Sequence, residues 1–124
     1  MISIVDDDTS VRNAARTLLR SLGYLTATFA SAEEFLQSGR LCETACLITD
    51  VQMPGMSGVD LQDHLIASGD KTPVIFVTAF PEEGLRKRAL GAGAVGFLAK
   101  PFTEESLIAC LDKALAHRRS RTTS

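Results

Sequence analysis

Two hydrophobic periods alternate along this chain. Residues 2–6 form a short, almost unbroken apolar run that ends in acid, which reads as a buried strand. Val11, Ala14, Ala15, Leu18 and Leu22 then recur at helical spacing, and Gly23 supplies the stop. Residues 24–29 read as a second strand, and Ser31 with Glu34 has the form of a capping box for a helix ending near Gly39. A third apolar strand, 45–49, is closed by Asp50. After the break at Pro54-Gly55, Ser57 is placed to cap a helix carrying Val59, Leu61, Leu65 and Ile66. Residues 73–78 give a fourth strand. Residues 82–90 read as a helix in spite of Gly84, and Gly91 and Gly93 end it. A fifth strand follows at 95–98. Thr103 then caps a last helix, with Glu104 and Glu105 in the first turn, where the helix dipole favours acids, and a stripe of Leu107, Ile108, Leu111 and Leu115.

Near-continuous apolar strands separated by single helices imply a parallel sheet covered on both faces. With right-handed crossovers the expected fold is α/β, a doubly wound five-stranded parallel sheet. Ligands in such folds bind at the carboxyl ends of the strands. The polar residues that follow the apolar runs are Asp6 and Asp7, Asp50, Thr78 and Lys100, each after a different strand.

Composition narrows the setting. A chain of 124 residues accommodates one domain, and its 45% hydrophobic and 23% charged content is that of a soluble globular protein. The apolar runs at 45–48 and 74–77 are too short to span a membrane, and residues 1–5 lack the length and basic lead of a signal peptide. A cytoplasmic protein is expected. The formal net charge of −2 argues against the domain itself gripping nucleic acid. His117, Arg118, Arg119 and Arg121 form a basic cluster that reads as a solvated tail, and Thr122, Thr123 and Ser124 read as the start of a linker. Cys42, Cys46 and Cys110 are odd in number and lack zinc-like spacing, and Cys46 and Cys110 read as small buried residues.

Three carboxylates gathered at one sheet edge repel one another, raising their pKa values or destabilising the fold unless a cation intervenes. Oxygen-only ligands suit a hard divalent ion, and a few carboxylates with water suit Mg²⁺. Such an ion could neutralise an incoming phosphoryl group while a carboxylate attacks phosphorus. Lys100 adds an ammonium, and the Thr78 hydroxyl can donate to a phosphoryl oxygen. Singly, each residue has a plainer explanation. Asp8 caps the first helix, Asp6 and Asp7 are acids near its start, Asp50 begins a turn, Thr78 ends a strand, and Lys100-Pro101 is a surface corner. Their convergence on one edge is what these separate explanations leave unaccounted for.

The chain resembles the response-regulator receiver family along essentially its whole length. The resemblance rests on Ile4-Val5-Asp6-Asp7-Asp8, on Asp50 in Thr49-Asp50-Val51-Gln52-Met53-Pro54-Gly55-Met56-Ser57-Gly58, on Val77-Thr78-Ala79, and on Gly91-Ala92-Gly93-Ala94 leading to Lys100-Pro101-Phe102. Val59-Asp60-Leu61 and Gly91-Ala92-Gly93-Ala94-Val95 look most like receivers of FixJ-type transcriptional regulators. The resemblance implies a flavodoxin-like (βα)5 fold with strand order 2-1-3-4-5, a receiver over 1–118, and a tail or linker over 119–124. It assigns Asp50 as phosphoacceptor, with Asp7, Asp50 and the backbone carbonyl of Gln52 as direct ligands of Mg²⁺ or another divalent cation such as Mn²⁺, and Asp6 acting mainly through water. Thr78 becomes the switch hydroxyl, Lys100 the phosphate partner, Phe97 the switch aromatic, and a cis peptide is expected before Pro101. Phe97 also reads as ordinary core packing, and the two roles are compatible.

A histidine kinase is then the expected phosphodonor, with a homodimer on phosphorylation as a possible consequence. DNA would be reached only through an output domain, and no helix-turn-helix is present in this sequence. The protein is expected to be a switch that catalyses only its own phosphorylation and dephosphorylation. The enzymatic alternative is a phosphatase or phosphotransferase with an Asp nucleophile, which would need a second Asp two residues on, where Gln52 stands. A nucleotide- or flavin-binding module is disfavoured by the acidic Asp6-Asp7-Asp8 turn. Gln52 and Phe80 flank the acceptor position and bear on phosphoryl lifetime. His64 matches no motif and reads as a surface histidine.

Overall fold

Burial along the strands follows their hydrophobicity. In the computed structural model, which describes the backbone over residues 1–123 and side chains over 1–116, β1 (Ile2–Val5), β3 (Cys46–Asp50) and β4 (Val74–Thr78) are buried at every position, as central parallel strands must be. β2 (Thr26–Phe29) and β5 (Gly96–Ala99) form the edges and are only partly buried. All pairings are parallel and the order is β2-β1-β3-β4-β5, the order expected for a flavodoxin-like receiver.

The pleat sends alternate residues to opposite faces. Ile2, Ile4, Cys46, Ile48, Ile75 and Val77 pack on Ala15 and Leu19 of α1 (Thr9–Ser21) and on Leu107, Leu111 and Ala114 of α5 (Glu104–Thr123). On the other face Val5, Leu47, Val74 and Phe76 pack on α2 (Ala32–Gln37), α3 (Gly58–Ala67) and α4 (Glu83–Gly91) through Phe35, Leu61, Leu65 and Ala89. Each fully buried side chain of this size contributes about 1.5–3 kcal/mol. The buried hydroxyl in β1 is satisfied: Thr44 donates to the Arg40 carbonyl at 2.8 Å, leaving Ser3 to donate to Thr44 at 2.7 Å.

Helix ends follow the side chains that cap them. Asp8 accepts from the Ser10 N–H, Thr103 from the Ser106 N–H, and Ser57 with Asp60 completes a reciprocal capping box. At α2 only half of the expected box forms. Ser31 accepts from the Glu34 N–H at 3.0 Å, but the Glu34 carboxylate turns to the Ala30 N–H at 3.1 Å. The helix expected over 82–90 begins at Glu83 without a side-chain cap and runs through Gly91, with Gly93 at φ +105° completing the turn. Ala89 is its one buried residue, which explains its faint sequence signal. Gln62 reaches up from α3 to donate from Nε2 to the Ala89 carbonyl at 3.2 Å.

His64 is exposed, in keeping with its reading as a surface residue. Cys46 is buried, and burial, helped by the nearby Cys110, pushes its thiol up to about 12, so it is chemically quiet. Cys110 is only half-buried, and Cys42 is exposed in a 3₁₀ turn over Leu41–Glu43. α5 continues to Thr123, while the side chains of the basic cluster at 117–121 and of the expected tail lie outside the described residues. No helix among the described residues is long and apolar enough to cross a membrane.

Gly96 lets the sheet approach α5 closely. A methyl group there would stand 2.5 Å from Cys110 Sγ and 3.2 Å from its Cβ. Gly96→Ala is expected to cost about 1–3 kcal/mol in urea unfolding, as overpacking does. The double variant Gly96→Ala/Cys110→Ala should recover most of that loss, and strictly additive losses would place the cost elsewhere.

Candidate functional site

The strands end at one edge, and their register decides what meets there. Asp50, the last residue of β3, pairs with Val77, so Thr78 stands one residue further along β4, opposite Ala99 of β5. Lys100 follows Ala99, and its N–H donates to the Thr78 carbonyl at 2.7 Å. Asp6 follows β1, and its N–H donates to the Phe29 carbonyl at 3.1 Å. Neighbouring parallel strands thus place acids from β1 and β3 beside a hydroxyl from β4 and an ammonium from β5.

Asp6, Asp7 and Asp50 each present a carboxylate oxygen within 4.8 Å of the others. Asp6 and Asp50 are 1% and 6% exposed, while Asp7 faces solvent. Lys100 Nζ bridges the buried pair, donating to Asp6 Oδ2 at 2.8 Å and Asp50 Oδ2 at 3.1 Å. The remaining oxygens are engaged locally: Asp6 Oδ1 accepts from the Asp8 N–H at 2.9 Å, and Asp50 Oδ1 from the Gln52 N–H at 3.2 Å.

Burial raises the pKa of Asp50 above the usual carboxylate range, and the neighbouring Asp6 adds to this, against the opposing pull of Lys100. Lys100 is shifted up. Burial alone would lower it, but its bonds to Asp6 and Asp50 outweigh that and keep it an ammonium. The donor set of the acid cluster is oxygen only, closely spaced and partly open to water, which fits a hard divalent cation.

The remaining expected residues divide by distance from this cluster. Thr78 is fully buried, and its oxygen accepts from the Phe80 N–H at 3.1 Å, leaving its proton to donate. Gln52 lies in the loop after β3. The Lys100–Pro101 peptide is cis. Phe97 does not join the acids. It pairs with Phe76, two residues back from the edge, and the two rings sit 6.4 Å apart at a tilt of 51° within the face packed by α2, α3 and α4. Phe80 is 66% exposed beside the site.

Two residues support the cluster, and a third ties down the loop after β3, without having been given a role by the sequence. Arg12, on α1, donates from Nη1 to the Asp6 carbonyl at 2.6 Å and from Nη2 to Thr9 Oγ1 at 3.0 Å, pinning the acidic turn. Gly58 opens α3 against the backbone of β3, where any Cβ would run into the Asp50 carbonyl. A glycine just after the Ser57 cap, where most residues are better helix formers, is the signal that could have found it. Glu33 accepts from the Met56 N–H at 3.1 Å across 23 residues, a separation no local pattern reveals.

The raised pKa of Asp50 makes a stability prediction. The folded chain holds this proton more tightly than the unfolded one, so the contribution is greatest below the ordinary value of 3.8 and declines as pH rises through the folded-state value. Without divalent cations, Asp50→Asn should therefore melt above wild type at neutral pH, and the gap should close as the buffer is taken below pH 3.8. A neutral-pH melting point at or below wild type would mean that pairing with Lys100 outweighs burial.

Known proteins are similar to this chain over most of its length. The family model of the response regulator receiver domain matches residues 2–112. The response regulator protein TmoT of Ectopseudomonas mendocina is 41% identical over 115 residues, which cover 93% of this chain and 52% of that protein. The transcriptional regulatory protein FixJ of Azorhizobium caulinodans is 37% identical over 114 residues, covering 92% and 54%. The chain therefore spans about half the length of the curated relatives it matches. Among solved structures, the response regulator StyR superposes with a TM-score of 0.87 at 42% identity, covering 98% of this chain and 64% of StyR. FixJ-N superposes with a TM-score of 0.83 at 33% identity, covering 94% and 93%. With its fold, strand order and whole-length match in agreement, the chain belongs to the response regulator receiver domain family.

Proposed function

We propose that this domain is a phosphorylation switch in which Asp50 takes a phosphoryl group from the imidazole of a histidine kinase. The observation that carries the reading is the Asp6–Asp7–Asp50 cluster, with Lys100 bonded to two of its members at the carboxyl edge of the sheet. In the step proposed, a carboxylate oxygen of Asp50 attacks phosphorus. The phosphorus–nitrogen bond breaks, and its electron pair stays on the leaving imidazole. Lys100 is positioned to move from the carboxylates to the new phosphoryl oxygens, and the Thr78 hydroxyl to donate to another.

Asp7, Asp50 and the Gln52 carbonyl would hold Mg²⁺ or Mn²⁺ directly, with Asp6 acting mainly through water. When bound, the ion supplies charge neutralisation for the anionic donor. Phosphorylation adds roughly −1.5 to −2 charges and three strong acceptors, enough to bias a pre-existing equilibrium. We take Thr78 and Phe97 as the switch pair that passes this bias to the α4 and β5 surface. The receiver is assigned to 1–118 and the start of a linker to 119–124. A transcriptional output reached through a further domain belongs to the same reading and is supported by relatives about twice as long, one of them a transcriptional regulatory protein; a homodimer formed on phosphorylation and a cytoplasmic setting are further parts of the proposal. Gln52, where an Asp-nucleophile phosphatase would carry its second acid, argues against turnover of outside substrates.

The direct test is intact-mass spectrometry after incubation with acetyl phosphate and Mg²⁺. Wild type should gain one labile phosphoryl group and Asp50→Asn none. Asp7→Asn should label weakly while remaining folded, and undiminished labelling in chelator would remove the metal from the reading.

Lifetime of the phosphorylated state gives a second test. The acyl phosphate is lost when water attacks in line, and Phe80, exposed and with its N–H on Thr78, carries a ring that would obstruct that approach without orienting water itself. Phe80→Ala should dephosphorylate faster than wild type. An unchanged or slower decay would assign the ring to a partner surface.

A further inference from the structure

The loop that follows β3 carries Gln52, whose carbonyl the reading above directs to the cation. Its ends are tied by the Gly58 N–H, which donates to the Val51 carbonyl at 2.9 Å, and Pro54-Gly55 turns the chain at its tip. Pro54 has no N–H, and Gly55 sits at φ +77°. Gln52 and Ser57 place their N–H groups on nearby carboxylates, Asp50 Oδ1 and Asp60 Oδ2, both at 3.2 Å. Met56 differs, because its N–H donates to a side chain from another element.

That side chain is Glu33, in the first turn of α2. Its Oε1 accepts from Met56 at 3.1 Å. Its Oε2 lies against Gly55, where a methyl group would stand 2.7 Å away. Both carboxylate oxygens therefore lie along the Gly55-Met56 backbone. The base is rigid: Ala32 and Phe35 of α2 are fully buried, and the Phe35 ring meets Phe29 edge-on with centroids 5.2 Å apart. Glu33 thus joins the α2 anchor to the loop, four residues from Gln52.

We propose that Glu33 is a positioning residue for the cation site. Its carboxylate clamps the Gly55-Met56 backbone and so sets where the Gln52 carbonyl points. It is given no contact with cation or phosphoryl group. The inference rests on the reading of Asp7, Asp50 and Gln52 as cation ligands. Groups bonded to a metal ligand commonly govern affinity because they hold its direction, and Glu33 would act the same way at one further remove, through the backbone between Met56 and Gln52. The competing explanation is that Glu33 merely places an acid at the positive end of a helix.

The test is Mg²⁺ titration of the full chain by calorimetry, with melting temperature measured in chelator and in Mg²⁺. Glu33→Ala should weaken Mg²⁺ binding about tenfold while leaving the metal-free melting temperature little changed. Phosphorylation by acetyl phosphate in that variant should recover at saturating Mg²⁺. Glu33→Gln keeps an acceptor oxygen without the charge, and it should restore most of the affinity. Equal Mg²⁺ affinity in wild type and Glu33→Ala would overturn the proposal. So would Glu33→Gln binding as weakly as Glu33→Ala, because charge rather than the clamp would then be responsible. If wild type itself binds no Mg²⁺, the cation reading fails first, and this inference falls with it.

Discussion

The interaction on which the rest of the structure depends is the bridge from Lys100 to Asp6 and Asp50. Two nearly buried carboxylates facing each other, with a third at the rim, are costly to gather, because burial withdraws the water that would screen them. Lys100 offsets part of that cost by bonding to both at once. It does not remove it, and the raised pKa of Asp50 is the residue. The site is therefore held together by a cation while still carrying excess negative charge. Such a site has reason to accept a further cation, and Lys100 is a partner that can be drawn away by a stronger anion.

The sheet makes this arrangement possible by geometry alone. In a parallel sheet all strands finish at one edge, so residues far apart in sequence meet there without any loop having to reach far. The Thr78 carbonyl fixes Lys100, and the Phe29 carbonyl fixes Asp6, through backbone bonds that continue the strand ladder. Two apolar layers hold the strands in place from either side. Unequal anchoring follows from how those layers are filled. α1 buries Ala15 and Leu19, and α5 buries Leu107, Leu111 and Ala114, whereas α4 buries only Ala89, adds a partly buried Leu85, and is tied by the Gln62 bond and the exposed Arg88–Asp63 pair at 3.2 Å. An exposed pair of this kind contributes little, so α4 is the helix that moves at least cost.

This distribution also explains what could be read from the chain. Strands β1, β3 and β4 were legible because central parallel strands are apolar on both faces, and they bring the acids and Thr78 to one edge. Strand limits shifted by one or two residues in central and edge strands alike: β3 runs over Cys46–Asp50 instead of 45–49, β4 begins at Val74 instead of 73, and β2 begins at Thr26 instead of 24. The support beneath the acids was less legible. Arg12, Gly58 and Glu33 act on backbone groups of residues whose side chains carry the pattern, and backbone contacts leave no periodic trace. For Glu33 the partner lies 23 residues away in a loop without regular structure, so only three-dimensional placement reveals it. Whether Ser31 and Glu34 form a full capping box was decided in the same way, by the nearby Ala30 N–H competing for one carboxylate.

Thr78 shows how a change at the acids can reach the surface. Its oxygen holds the Phe80 N–H, and Phe80 belongs to the segment that leads into α4. Its carbonyl accepts from Lys100, which touches both buried acids. Two hydrogen bonds of Thr78, with the two from Lys100 Nζ to the acids, thus connect the ammonium, the acids and the segment before the least anchored helix. A hydroxyl can rotate about its own bond while its backbone stays in the ladder, so its donor direction is free to change without unfolding the strand. Any new acceptor at Asp50 would compete for that proton and for Lys100 together. The cost of reorganising the Phe80 segment is small because that segment is exposed, and the cost of moving α4 is small because so little of it is buried. Coupling of this kind needs no long chain of contacts, since only Thr78 and the short segment 79–82 lie between the charged site and α4.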